Sequence, residues 1–173
     1  MELLDSEVLF EGHSLDLARK TYRREDGTVV LREVAEHPGS VAIVAHDEEF
    51  VYLVAQPREA VEEDRLLEIP AGTLDVDEET PLECARRELA EEAELQAQEW
   101  RQLQAVFTSP GVLSEQVWIF AATDLSPASG ERDADEQIEI VRLPLAEIEA
   151  ALPELRDATT VIGLLLLLRE LSG

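Results

Sequence analysis

Two apolar runs, Val41-Ala-Ile-Val-Ala45 and Phe50-Val-Tyr-Leu-Val54, flank the polar tetrapeptide His46-Asp-Glu-Glu49, a pattern that predicts two strands joined as a central hairpin. Upstream, Ser14 to Arg24 and Thr28 to Glu36 flank Glu25-Asp26-Gly27, an acidic turn with glycine where positive φ is wanted. An N-terminal antiparallel β-hairpin is expected there. Residues 59 to 65 form a charged loop before Leu66-Leu67-Glu68-Ile69, and Pro70-Ala71-Gly72 is expected to break regular structure. The period then changes. Leu82, Ala85 and Leu89 recur at helical spacing, with Thr80 as N-cap, Pro81 at the first helical position and Glu83 completing a capping box, so a helix runs from Thr80 to about Ala93. Trp100 to Thr108, Val117 to Thr123 and Glu136 to Leu143 read as further strands, and Pro144 to Leu152 and Asp157 to Leu171 as helices. The apolar run Val161 to Leu168 is too continuous for one stripe and should be buried, in the core or at a subunit contact. Strands, a helix, strands and helices predict an α+β fold, with mixed sheets packed between helices. No repeat or linker interrupts the chain, so one domain over 1–173 is expected.

The 173 residues carry 14 Lys+Arg against 39 Asp+Glu, a formal charge of −25. Nucleic-acid sites are built from Lys and Arg, so a nucleic-acid partner is not expected. A chain of this length buries about 70% of its unfolded surface and needs no disulfide staples. Its single cysteine, Cys84, is expected to pack as a small semi-buried residue and fits a reducing compartment, so a cytoplasmic location is expected. The opening MELLDSEVLF has neither a basic leader nor an apolar run of signal length, and Val161 to Leu168 falls far below the ~20 residues that span a bilayer. No membrane partner is expected.

Glu88, Glu91 and Glu92 stand at i, i+3 and i+4, so their carboxylates share one helix face. Such like charges are either screened by solvent or bridged by a cation, and all-oxygen ligation suits a hard ion such as Mg²⁺, with Mn²⁺ as a substitute.

The stretch from Gly72 to Leu95 resembles the signature of the Nudix hydrolases, G-x5-E-x7-R-E-U-x-E-E-x-G-U with U a bulky aliphatic residue. Arg87-Glu88-Leu89-Ala90-Glu91-Glu92 matches its centre, and Glu79 stands at the required distance before Arg87. Gly72 lies one residue further upstream than the pattern has it, and Glu94 occupies the pattern's second glycine position. The resemblance implies a Nudix-type domain that uses Mg²⁺-dependent attack of water on a pyrophosphate. It implies Glu88, Glu91 and Glu92 as metal ligands together with the Ala71 carbonyl, and Gly72, Glu79 and Arg87 as structural members of the motif.

Outside the signature, Glu68-Ile-Pro-Ala-Gly72, Val54-Ala-Gln-Pro-Arg58, Ser109-Pro110-Gly111 and Ser114-Glu115 resemble the ADP-ribose pyrophosphatase branch. That resemblance implies a small nucleotide-sugar substrate, ADP-ribose or a related ADP-sugar, cleaved to AMP and ribose 5-phosphate. Arg58 would meet the diphosphate, Gly111, Ser114 and Glu115 the ribose side, and Arg32 and Glu33 the adenine, with a surface charge as the plain alternative for Arg32. The general base is expected at Glu136, with Asp135 and Asp133 as substitutes, beside catalytic Glu91 and Glu92. The resemblance also implies a homodimer that exchanges its N-terminal strands, about 1–38, around a catalytic core of 39–173. Two other readings stay open: a Nudix hydrolase for another nucleoside diphosphate-X, and a module that binds ADP-ribose without cutting it.

Overall fold

A computed structural model describes residues 1–130 and 137–172. The fold is α+β, and the chain divides into two compact units, Met1–Gly39 with Phe107–Gln116, and Ser40–Val106 with Val117–Gly173.

The first unit is built on an antiparallel sheet of β1 (Glu2–Glu11), β2 (Asp16–Arg23) and β3 (Val29–Glu36), in that order. The expected hairpin is β2–β3, closed by Gly27 at φ 82° and by the Asp26 carboxylate, which accepts from the Thr28 amide and hydroxyl. These bonds hold the Asp26 carboxyl below its usual range. Strand β1 was not expected. Register shifts between Leu3 and Asp5 and between Val8 and Phe10 break its two-residue period, and every residue of it is exposed. The segment 107–116 joins β3 through a parallel bridge between Ala35 and Leu113.

The second unit is a seven-stranded sheet with helices on both faces. Its order is β10 (Glu139–Pro144), β5 (Phe50–Arg58), β4 (Ser40–His46), β9 (Gln116–Pro127), β8 (Leu95–Phe107), with β6 (Glu63–Glu68) on β5 and β7 (Ala71–Thr73) on β4. Only β4 and β9 run parallel among the registered pairs. Alternation along β4 explains the layering. Val41, Ile43 and Ala45 pack with Cys84, Ala85 and Leu89 of α1 (Pro81–Ala93), whereas Ala42 and Val44 pack with Leu164 and Leu167 of α3 (Ala158–Leu171) and Ile148 of α2 (Ile148–Ala151). A strand covered on both faces loses its polar side, which is why β4 has a continuous apolar run. Gly163 lets α3 sit close: a Cβ there would lie 2.8 Å from Val44 Cγ2 and 3.0 Å from Ile69 Cδ1.

Four expected elements differ from those observed. Pro70-Ala71-Gly72 does not stay irregular, because Ala71–Thr73 pairs with β4. The charged loop 59–65 becomes one 3₁₀ turn, Glu59–Val61, and the start of β6. The expected helix 144–152 is not one α-helix: a 3₁₀ turn at Leu145–Glu147 leads into the short α2, and a second at Leu152–Glu154 follows it. Strand β8 also begins at Leu95 rather than Trp100, directly from the left-handed end of α1.

Candidate active site

The central feature is the passage from β6 through β7 to α1. Helix α1 starts as its sequence requires: the Thr80 side chain accepts from the Glu83 amide, and the Glu83 carboxylate accepts from the Thr80 amide and hydroxyl. The Thr80 bonds keep the Glu83 carboxyl below its usual range. The loop with the extra residue closes by a Glu79 amide to Val76 carbonyl bond, with Glu78 at φ 65°. At the far end Glu94 takes the glycine position of the motif at φ 55°. Its amide donates to the Leu89 carbonyl and its own carbonyl accepts from the Ala128 amide.

The acidic face of α1 lies over β7. Glu92 is only 3% exposed and accepts from the Ala71 amide at 2.8 Å and from Gln56 Nε2 at 3.3 Å. Glu88 lies directly on Gly72, where a Cβ would come within 1.9 Å of its Cδ and 2.1 Å of its Oε1. Arg87 clasps the loop: its Nε and Nη2 each reach a Glu79 oxygen at 3.1 Å, and Nη2 lies 3.5 Å from the Thr73 carbonyl. Its Nη1 also donates to Glu88 at 2.6 Å and Glu91 at 3.0 Å. The Glu79 bonds drive the Arg87 pKa upwards, so this guanidinium stays charged. Among the described residues no three His, Cys, Asp or Glu side chains converge as a ready ligand set, and Arg87 supplies the positive charge between Glu88 and Glu91.

Behind this face lies a polar row in which buried Gln56 and Glu68, given no role from the sequence, join Arg58, expected at the diphosphate. Gln56 and Glu68 are both buried, and Gln56 Nε2 donates to Glu68 at 3.2 Å as well as to Glu92. Arg58 makes a two-pronged contact with Glu68, Nε at 2.9 Å and Nη2 at 2.6 Å. The Glu68 bond raises the Arg58 pKa despite partial burial. Their signal was present: Gln56 and Arg58 share one face of β5 at i, i+2, and Glu68 is an acid in an otherwise apolar run. Cys84 is fully buried, deeper than expected, and burial first and Glu88 second push its thiol up to about 12.

Arg32, Glu33, Gly111, Ser114 and Glu115 belong to the first unit. Arg32 is exposed and donates to the neighbouring Leu31 carbonyl, and Glu33 lies 3.8 Å from Arg19. Ser114 Oγ accepts from the His37 amide at 2.9 Å, and Glu115 accepts from Thr108 Oγ1 at 2.7 Å. Gly111 has open space around a built Cβ. Glu136, Asp135 and Asp133 lie outside the described residues.

The donor chemistry suits a hard divalent cation. Glu88, Glu91, Glu92 and the Ala71 carbonyl offer oxygen alone, and glycine at 72 leaves room for the Glu88 carboxylate against the backbone, so the residues present fit such an ion.

A family model described as NUDIX domain matches residues 35–161. The chain is 42% identical over 139 residues to an ADP-ribose pyrophosphatase of Mycobacterium tuberculosis, covering 78% of this chain and 67% of that one. It is 36% identical to an ADP-ribose pyrophosphatase of Bacillus subtilis (91% and 87% covered) and 33% identical to a GDP-mannose pyrophosphatase of Cronobacter sakazakii (94% and 92%). A crystal structure of an ADP compounds hydrolase superposes with a TM-score of 0.85 at 26% identity, covering 99% of this chain and 94% of that one.

Proposed function

The chain belongs to the Nudix hydrolases, and from that premise we propose that it hydrolyses the pyrophosphate bond of ADP-ribose, or a related ADP-sugar, with Mg²⁺ as its cation. One water is consumed, a P–O–P linkage breaks, and AMP and ribose 5-phosphate leave. The observation that carries this reading is the seating of the Glu92 and Glu88 carboxylates against the backbone of Ala71 and Gly72. A divalent ion bound there supplies charge neutralisation for the diphosphate and a more acidic water. Glu88, Glu91, Glu92 and the Ala71 carbonyl would hold it. Gln56 and the Ala71 amide fix the Glu92 carboxylate, while Arg87 ties Glu79 to the helix. Arg58, with Nε and Nη2 committed to Glu68, leaves Nη1 without a partner among the described residues, and this end is assigned to the diphosphate. Gly111, Ser114 and Glu115 are assigned to the ribose, Arg32 and Glu33 to the adenine, and Glu136 to the general base.

The protein is further assigned as a cytoplasmic homodimer within one functional domain. Support for the dimer comes from β1, which exposes Leu3, Val8 and Phe10 by half or more of their surface. Among the described residues no helix is long and apolar enough to cross a membrane. Light scattering giving a mass near twice 19.3 kDa is the expected result, and a monomer would refute the exchange of N-terminal strands.

A second reading is a nucleoside diphosphate sugar other than an ADP-sugar, favoured by the GDP-mannose pyrophosphatase relatives. The test is AMP release from ADP-ribose with Mg²⁺ and with a chelator, beside GDP-mannose, dinucleotides and triphosphates. Metal-dependent preference for ADP-ribose upholds the first reading, preference for GDP-mannose upholds the second, and tight binding without turnover refutes both.

A further inference from the structure

Resting on the proposed reaction, we propose that Thr160 is a positioning residue for the active site: its hydroxyl, oriented by Asp157, holds the Ile69 amide and thereby the backbone on which Glu92 and Glu88 are seated. Ile69 and Pro70 fall between β6 and β7 and belong to neither ladder. Proline has no amide to donate, so the crossover offers a single N–H, that of Ile69. That amide is buried and donates to Thr160 Oγ1 at 2.8 Å. The hydroxyl has one proton, which goes to Asp157 Oδ2 at 2.7 Å, so its lone pair faces Ile69 and the direction of the relay is fixed. A carboxylate at its end strengthens the chain of bonds.

The helix itself does not need this hydroxyl. Asp157 already caps α3 by accepting the Thr160 backbone amide at 2.6 Å, a bond any non-proline residue at 160 would make. Thr160 is nevertheless fully buried, and among the described residues the one further hydrogen bond of its side chain is with the crossover. The other anchor of the crossover is the Pro70 carbonyl, which accepts from the Ile43 amide of β4 at 2.8 Å. On either side of these two pins, Glu68 holds Gln56 and Arg58, and the Ala71 amide reaches Glu92. Without the hydroxyl, the Ile69 amide must turn towards another acceptor or remain unsatisfied, and either response shifts Ala71 relative to Glu92.

The experiment compares Thr160→Val, which keeps the branched shape and removes the hydroxyl, with Thr160→Ser, which restores it. Readouts are kcat and KM for ADP-ribose, Mn²⁺ binding by electron paramagnetic resonance without substrate, and amide exchange at Ala71 and Gly72. The expected result for Thr160→Val is a fall in kcat and in Mn²⁺ affinity of about 10- to 100-fold, the range for losing a group that orients a ligand, with KM changed less. Exchange at Ala71 accelerates more than at β4, and Thr160→Ser returns all readouts close to the parent. A variant that melts earlier while kcat, Mn²⁺ affinity and Ala71 exchange stay at parent values overturns the proposal. Should Thr160→Val not fold, Thr160→Cys, a weaker donor and acceptor, must show a loss in the same readouts that Thr160→Ser does not, or the proposal fails. A parent protein that turns over no substrate refutes the assigned activity instead; Ala71 exchange in the variant then upholds the positioning role if accelerated and overturns it if unchanged.

Discussion

Gly72→Ala separates the fold from the chemistry at one atom. The added Cβ would stand 1.9 Å from Glu88 Cδ and 2.1 Å from Oε1, where ordinary carbon contacts need about 3.5 Å, so the carboxylate must withdraw by about 1.5 Å. The obstructing atoms are the far end of a flexible side chain, and Gly72 is not among the positive-φ positions, so the backbone can stay. Moving Glu88 off its rotamer costs about 0.5–1.5 kcal/mol, and replacing glycine at a compatible position returns about 0.4–1 kcal/mol through the unfolded state. Net stability should change by less than about 1 kcal/mol, which is about 2–4 °C in Tm for a chain of this size. Turnover should fall by about 100-fold, since a displacement of 1 Å at a reacting centre has that effect, about 2.7 kcal/mol of transition-state stabilisation. The assay is kcat/KM for ADP-ribose at saturating Mg²⁺ beside a calorimetric melt. Turnover within threefold of the parent would refute the claim that Glu88 acts from its seat on Gly72. A Tm loss of more than about 5 °C would refute the claim that only the carboxylate moves.

Glu92→Gln keeps an oxygen for the Ala71 amide, so the fold should persist while turnover falls at least about 100-fold; unchanged turnover would remove Glu92 from the ligand set. Cys84 should resist thiol reagents at pH 8 until the protein unfolds. Because its thiol rises from 9.0 to about 12 on folding, the folded state holds the proton longer, and stability should be lost as pH climbs from 9 towards 12. Thermal melts of the parent should therefore drop more steeply over pH 9–11 than those of Cys84→Ala, and parallel curves would contradict the assignment. Gly163→Ala should lower stability by about 1–2 kcal/mol although alanine favours helices by about 1 kcal/mol, because the new methyl meets branched, buried Val44 at 2.8 Å; chemical denaturation measures it, and a gain in stability would show that α3 can shift outward.

The parts legible in the sequence are those decided within a few residues. Thr80, Pro81 and Glu83 mark the helix start because a capping box spans one turn, and Glu88, Glu91 and Glu92 declare a shared face by spacing alone. What escaped depends on pairing across the chain. Ala71–Thr73 looks like a break after proline and becomes a strand because β4 offers its edge. Gln56 and Glu68 meet because the β5–β6 hairpin sets Gln56 against Leu66 and Val54 against Glu68, and Glu92 joins them from 36 residues beyond Gln56. Strand β1 hid its period behind two irregularities and has no buried face to impose one. The motif glycine replaced by Glu94 is a milder case: the left-handed turn forms anyway, because bonds to Leu89 and Ala128 offset a strain of about 1–2 kcal/mol.

A formal charge of −25 makes the ordering of buried acids the central electrostatic problem of this chain. Most of its carboxylates avoid that problem by lying on the surface, where water and salt screen them. The few at the site are each answered by a particular donor: Glu68 by Arg58 and Gln56, Glu92 by Gln56 and the Ala71 amide, Glu79, Glu88 and Glu91 by Arg87. Gln56 is the economical member, since its single amide nitrogen serves two buried carboxylates without adding a charge that would compete with a cation. A lysine there would neutralise one acid outright and weaken the field available to a divalent ion, whereas an amide orients both and leaves their charge available. The acids on this face of α1 are thus held by two kinds of donor, neutral amides at Glu92 and the Arg87 guanidinium at Glu88 and Glu91, while the same guanidinium ties Glu79 of the loop to the helix.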